Sequence, residues 1–239
     1  MEALNGKVVV VSGGAKRLGR AMVIAMAAAG ARVAFTWLNS EKEARQTERE
    51  ANGSQAFQCD IRDARSVAAT VDSIVGQFGN IDILVNNAGI YQTVPFDDLT
   101  VEQWDDMFAV NVRGAFLMSK QCAPALRAAK GRIVNLGSLG GQKPWTTHIH
   151  YCSSKAALHM LTRATAKALA PDVAVNCVAP GMIDQEEPER APLARFAAST
   201  PMGRNGLPDD IVSAVLYFAT APHFVTGQIL TVDGGLGLR

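Results

Sequence analysis

The chain has 239 residues, 48% of them hydrophobic, enough for one sizeable core in a single α/β domain. Its 23 basic and 22 acidic residues leave a formal charge of +1, so no field of one sign recruits nucleic acid or an anionic membrane, and a small-molecule role is favoured. No run of about 18 apolar residues predicts a membrane span, and Met1-Glu2-Ala3-Leu4-Asn5 lacks the basic and apolar regions of a signal peptide.

Lys7–Ser12 reads as a buried strand and Arg17–Ala29 as the helix after it. Arg32–Thr36 is a second strand, and the charged Glu41–Asn52 a solvated helix. A third strand, Gln55–Cys59, leads to a helix over Ala64–Phe78, and a fourth strand is Ile81–Asn86. A long helical stretch covers Val101–Ala129, with Pro124 the candidate point of a bend or division. Arg132–Leu136 is a fifth strand, His150–Leu169 a helix, and Val173–Val178 a sixth strand. A helix over Pro208–Thr220 precedes a last strand, Gln228–Val232. Strands rich in Val and Ile, without polar alternation, are buried on both faces. Their alternation with helices predicts one Rossmann-type, doubly wound α/β domain over residues 1–239, with a seven-stranded, mainly parallel sheet. Residues 182–205, rich in proline and mixed in charge, follow a strand end and read as a substrate lid.

The first strand runs into Ser12-Gly13-Gly14-Ala15-Lys16-Arg17-Leu18-Gly19, which opens a helix. Glycines let a backbone approach a pyrophosphate, and a helix N-terminus offers free N–H groups to it. An NAD site usually places an acid on the ribose about 20 residues after the glycines. No acid lies between Ala31 and Ser40, whereas Lys16 and Arg17 in the turn, with Asn39 and Ser40 after the second strand, suit a 2′-phosphate. The expected cofactor is therefore NADP(H).

Cys59, Cys122, Cys152 and Cys177 are widely spaced and without metal-ligand pattern. They read as buried free thiols of a cytoplasmic protein; Cys152, although beside Tyr151, is not read as a nucleophile. No metal is expected.

Several motifs then occur in a telling order: the glycine turn, Asp60 after the third strand, Asn86-Asn87-Ala88-Gly89 after the fourth, Asn111, Ser138, Tyr151-x-x-x-Lys155, Pro180-Gly181, and Val232-Asp233-Gly234-Gly235. In this the chain closely resembles the short-chain dehydrogenase/reductase family along nearly its whole length. Arg17 stands where many relatives have a glycine. The resemblance implies that Asn111, Ser138, Tyr151 and Lys155 form the catalytic group. It also implies that Gly13, Ala15, Lys16, Arg17, Leu18, Asp60, Ile61, Asn87, Ala88, Gly89, Tyr151, Lys155, Pro180, Gly181 and Ile183 meet the cofactor. Asp60 and Ile61 would border the adenine, and Pro180, Gly181 and Ile183 the nicotinamide. Relatives often carry Thr two residues after the position of Ile183; Gln185 stands there instead. His148 and His150 are read as rim residues, and Tyr91 and Trp145 as pocket walls.

Tyr151 and Lys155 are four apart, hence on one helical face. A tyrosine pKa near ~10 is too high for acid–base work at neutral pH, and a nearby ammonium favours the phenolate. The expected substrate is a ketone or secondary alcohol, of the 3-oxoacyl-(acyl-carrier-protein) reductase type. The turn Lys16-Arg17-Leu18-Gly19 and Tyr91 also resemble pteridine reductases, but those commonly carry Asp where Ser138 stands, and a hydroxyl suits a carbonyl. A regulatory protein that binds dinucleotide without turnover is the reading from another class; loss of one of the four residues would mark it, and all four are present. The family resemblance implies a homotetramer, or a homodimer, packed through the helices of Val101–Ala129 and His150–Leu169.

Overall fold

In a computed structural model, which describes residues 4–184 and 194–239, the strands form one seven-stranded sheet in the order β3-β2-β1-β4-β5-β6-β7. They are β1 Val8–Val11, β2 Arg32–Trp37, β3 Ser54–Gln58, β4 Ile83–Asn86, β5 Arg132–Leu136, β6 Ala174–Pro180 and β7 Ile229–Val232. Every pairing is parallel, so the sheet is wholly rather than mainly so. Both faces are covered, because parallel strands are joined by crossovers that lay helices on them. The eight helices described are α1 Arg17–Ala28, α2 Glu41–Glu50, α3 Ala64–Phe78, α4 Val101–Phe108, α5 Ala115–Ala128, α6 Ile149–Leu169, α7 Ala194–Ser199 and α8 Pro208–Thr220.

The two cores show the strand period directly. Val9 and Val11 of β1 join Met22, Met26 and Phe218 of α1 and α8 on one face. Val10 joins Val71, Met118 and Leu126 of α3 and α5 on the other. Sequence order reverses between β1 and β4, and the crevice beyond their carboxyl ends is where ligands bind in such sheets. None of the described helices is long and apolar enough to cross a membrane.

The stretch Val101–Ala129 departs from the sequence expectation. It is not divided at Pro124, which lies within α5 on the exposed side next to Lys120, where a freed carbonyl reaches water. The interruption is a π-helical turn, Ala109–Gly114, between α4 and α5. It carries Asn111 inward and buries it, and its Gly114 admits Ile61, whose Cδ1 would lie 2.5 Å from a Cβ at that position.

Of the expected lid, residues 182–205, the described parts are Met182–Asp184, α7 and the following loop to Asn205; Gln185 lies outside the described residues. Ile183 forms an isolated bridge with Gly206.

Candidate active site

The glycine turn is anchored from two sides. Gly13 N donates to Thr36 Oγ1 at 3.1 Å and Gly14 N to Thr36 O at 2.9 Å, so the buried β2 threonine fixes its height. Asn87 Nδ2 donates to Ser12 O and Gly13 O at 2.9 and 3.0 Å. Ser12 Oγ accepts from Asn87 N and Ala88 N at 3.0 and 3.1 Å. The carboxyl ends of β1 and β4 are thus stitched together at the base of the turn.

Gly13 has φ of +67°, a left-handed conformation that glycine adopts without strain. A Cβ at Gly14 would lie 2.6 Å from Phe35 Cβ, and one at Gly19 would overlap Gly13 O. Ala15 is buried, its carbonyl accepting from Thr47 Oγ1 at 3.0 Å. Lys16 and Arg17 are exposed at the start of α1, and Leu18 is half-buried beside them. Asn39 is exposed and Ser40 half-buried at the entrance to α2, where the Ser40 side chain makes no cap bond. Gly14 and Gly19 leave no room for a side chain in the turn. A turn this tight fits the pyrophosphate of a dinucleotide.

Asp60 and Ile61 follow β3. Arg62 grips the Asp60 carboxylate through Nε and Nη2, at 3.0 and 2.8 Å, and reaches Asp106 of α4 at 3.0 Å. The guanidinium holds Asp60 below the usual carboxylate range. Ile61 is buried against Gly114. At the far end of the crevice, Gly181 N donates to Val232 O, and a Cβ on Gly181 would lie 2.5 Å from Asp233 Cβ. The closing Val232-Asp233-Gly234-Gly235 segment thereby packs on Pro180 and Gly181 and shapes that side of the cleft.

The four residues of the expected catalytic group come from three elements. Ser138 lies at the end of β5 and caps a 3-10 turn, Leu139–Gly141, its Oγ accepting from Gly140 N at 3.0 Å. The oxygen is thereby fixed, and the hydroxyl proton can still be donated. Tyr151 and Lys155 share one face of α6, with Lys155 Nζ 5.8 Å from the centre of the Tyr151 ring. Lys155 is buried and donates to Leu136 O at 2.8 Å. Burial pushes its ammonium down to about 8.

Gly89 lies between Asn111 and Lys155: a Cβ there would be 3.1 Å from Asn111 Oδ1 and 3.6 Å from Lys155 Nζ. The Asn111 amide clamps Ile90, accepting from its N at 2.8 Å and donating to its O at 3.0 Å. It also donates to Ser154 Oγ at 3.1 Å. The side chain is thus spent on holding the Asn87–Ile90 segment to α6.

Tyr91 and Trp145 both pack around the Tyr151 ring. Tyr91 meets the Tyr151 ring edge-on at 4.9 Å, and Trp145 lies parallel to it at 6.3 Å. Tyr91 also stacks on His148 at 4.7 Å, while Thr93 and Thr147 hydrogen-bond the two His148 nitrogens at 2.9 and 3.0 Å. His150 corrects the sequence reading: it is no rim residue but fully buried, and neither ring nitrogen has a partner among the described residues. In the first turn of α6, His150 faces the interior while Tyr151 stays half-exposed. The four cysteines are free and buried, as expected.

Sequence reasoning missed Thr36, Ser12 and Ser154. Ser12 and Thr36 are polar residues at or near the carboxyl ends of otherwise apolar strands, a signal that could have found them. Ser154 carried no such signal, being one of two serines inside the Tyr-x-x-x-Lys spacing.

The family profile described as Enoyl-(Acyl carrier protein) reductase matches residues 13–237. D-threitol dehydrogenase of Mycolicibacterium smegmatis is 34% identical over 246 residues, covering 99% of this chain and 95% of that protein. A 3-oxoacyl-(acyl-carrier-protein) reductase of Synechocystis sp. is 32% identical, with 99% of each chain covered. Among solved structures, a double mutant of a Serratia marcescens short-chain dehydrogenase/reductase, with leucine in place of two phenylalanines, superposes with a TM-score of 0.92 at 34% identity, covering 98% of this chain and 99% of the other.

Proposed function

Since the chain belongs to the short-chain dehydrogenase/reductase family, oxidoreductases that act on alcohols and ketones with a nicotinamide dinucleotide, we propose that it is an NADP(H)-dependent ketone reductase with Tyr151 as acid and base. What supports this reading is that Lys155 Nζ lies 5.8 Å from the Tyr151 ring and beside Gly89 and Asn111, while Gly140, whose N–H holds Ser138 Oγ, packs against the same ring. The dinucleotide, when bound, supplies the hydride. Gly13, Ala15 and Leu18 border its pyrophosphate, and Lys16, Arg17, Asn39 and Ser40 receive the 2′-phosphate. Asp60 and Ile61 border the adenine; Asn87, Ala88 and Gly89 line the channel; Pro180, Gly181 and Ile183 flank the nicotinamide.

Tyr151 gives its phenolic proton to the substrate oxygen as the carbonyl carbon is reduced, and takes it back in alcohol oxidation. Ser138 donates its hydroxyl proton in a hydrogen bond to the same oxygen and polarises the carbonyl. The Lys155 ammonium favours the phenolate of Tyr151 and binds the nicotinamide ribose with its remaining N–H groups. Since the Asn111 side chain is engaged with Ile90, its part in a proton relay is to fix the π-turn, whose backbone would hold the water that links Lys155 to solvent.

The buried free thiols suit a reducing cytoplasm. Exposed Phe116 on α5 and Met160 on α6 supply apolar surface for a homotetramer or homodimer, which light scattering would report as a mass above one chain.

The test is NADPH oxidation against a panel of ketones, β-ketoesters and dihydropterins, repeated with NADH. Turnover of ketones or β-ketoesters with preference for NADPH is expected. Turnover confined to dihydropterins, or dinucleotide binding without any turnover, would overturn the reading.

A further inference from the structure

The loop that carries Ser138 runs Gly137-Ser138-Leu139-Gly140-Gly141 and folds around one side chain, that of His159. His159 lies on α6, one turn beyond Lys155 and two beyond Tyr151, and is 5% exposed. Its Nε2 accepts the backbone N–H of Ser138 at 3.4 Å. The ring is wedged between the two glycines that bracket the serine: a Cβ on Gly137 would overlap Nε2, and one on Gly141 would lie 2.6 Å from Cε1. Gly137 N donates to Val178 O at 2.7 Å, so β6 pins the loop from the other side. Gly140 N then fixes Ser138 Oγ. Nothing in the reaction described above uses this histidine.

Resting on the reading of Ser138 given above, we propose that His159 is a positioning residue: by accepting the Ser138 N–H and filling the space between Gly137 and Gly141, it sets the direction from which Ser138 Oγ meets the substrate oxygen. Misplacing a catalytic group by about 1 Å can cost on the order of 100-fold in rate, so a side chain that fixes such a loop is worth a rate factor without touching substrate. The arrangement needs a neutral ring with its proton on Nδ1, since only an unprotonated Nε2 can accept. Burial first, then the Lys155 and Arg163 cations, push His159 down to about 4, so the ring stays an acceptor at neutral pH. The tight glycine cradle makes the placement specific, because a larger residue on either side would displace ring or loop.

The test is a double-mutant cycle on the ketone reduced fastest in the panel. His159→Phe keeps a ring and removes the acceptor; kcat is expected to fall roughly 10-fold to 100-fold, with the Kd for NADPH and the KM for ketone changed less than about threefold. His159→Gln, whose Oε1 stands near the place of Nε2, is expected to restore most of kcat. In a Ser138→Ala background, His159→Phe is expected to cost less than about twofold. If Ser138→Ala leaves kcat near wild type, the reading of Ser138 fails, and this inference with it. If Ser138→Ala lowers kcat but His159→Phe costs nothing, or costs the same in both backgrounds, only the role of His159 fails. Imidazole 15N NMR of the wild-type protein decides independently of variant folding: the Nδ1–H tautomer is expected, and a proton on Nε2 would overturn the proposal.

Discussion

Lys155→Met separates what the site needs from what the fold prefers. In the folded chain Lys155 is 6% exposed, and burial drops it from 10.5 to about 8. Holding the ammonium charged at neutral pH therefore costs the fold about 3 kcal/mol. Met fills similar space without charge but leaves Leu136 O without its 2.8 Å bond, a loss of about 1 kcal/mol. The net gain of about 2 kcal/mol raises Tm by about 5 °C in a domain of this size. Between about pH 8 and 10.5 the unfolded lysine holds a proton that the folded one has released, so wild-type stability rises with pH across that window. The advantage of the variant is therefore full below about pH 8 and fades toward pH 10.5. Ketone reduction by the variant is expected to fall at least about 100-fold. Thermal unfolding of both proteins from about pH 7 to about pH 10 gives the result. A variant less stable than wild type by the same margin at every pH would show that Lys155 is a stabilising residue rather than a costly one.

Replacing Lys16 and Arg17 together by Ala is expected to weaken NADPH binding at least about tenfold, some 1.4 kcal/mol, and to leave NADH binding unchanged; fluorescence titration checks both. NADH binding as tight as NADPH in the wild type would defeat the assignment. Thr36→Val removes the acceptor of Gly13 N, and is expected to cost about 1 kcal/mol in urea unfolding and to raise the Kd for NADPH. Asn111→Leu orphans both polar groups of Ile90, and is expected to cost about 2–4 kcal/mol and to lower kcat. Unfolding midpoints and steady-state kinetics on the same preparations decide it.

The sheet was legible because a strand buried on both faces must be apolar throughout. Val8–Val11 and the Ile83–Val85 part of β4 announce themselves in that way. The helix expected over Ala64–Phe78 is found with those bounds, and the Asp63 carboxylate caps its start by accepting from Arg65 N. The π-turn at Asn111 was not, because one wider turn leaves the polar–apolar period on either side nearly intact, while Pro124 advertises a break that solvent exposure makes unnecessary. The motif residues could be named from their order alone. The supports could not: Thr36 pairs with Gly13 across 23 residues, Asn87 with Ser12 across 75, and His159 with Ser138 across 21. Such partners exist only once β1, β2, β4 and α6 have been brought together. His150 shows the same limit, since the orientation of the first turn of α6 and not its sequence decides that the ring points inward.

Proton transfer at Tyr151 is isolated by Tyr151→Phe, which removes the phenol and keeps the ring. Rates of ketone reduction at saturating NADPH, with the Kd for NADPH measured on the same protein, give the answer. The kcat is expected to fall by about 10²–10⁴ with cofactor binding nearly unchanged. A variant that reduces ketone at close to the wild-type rate would exclude Tyr151 as the proton donor.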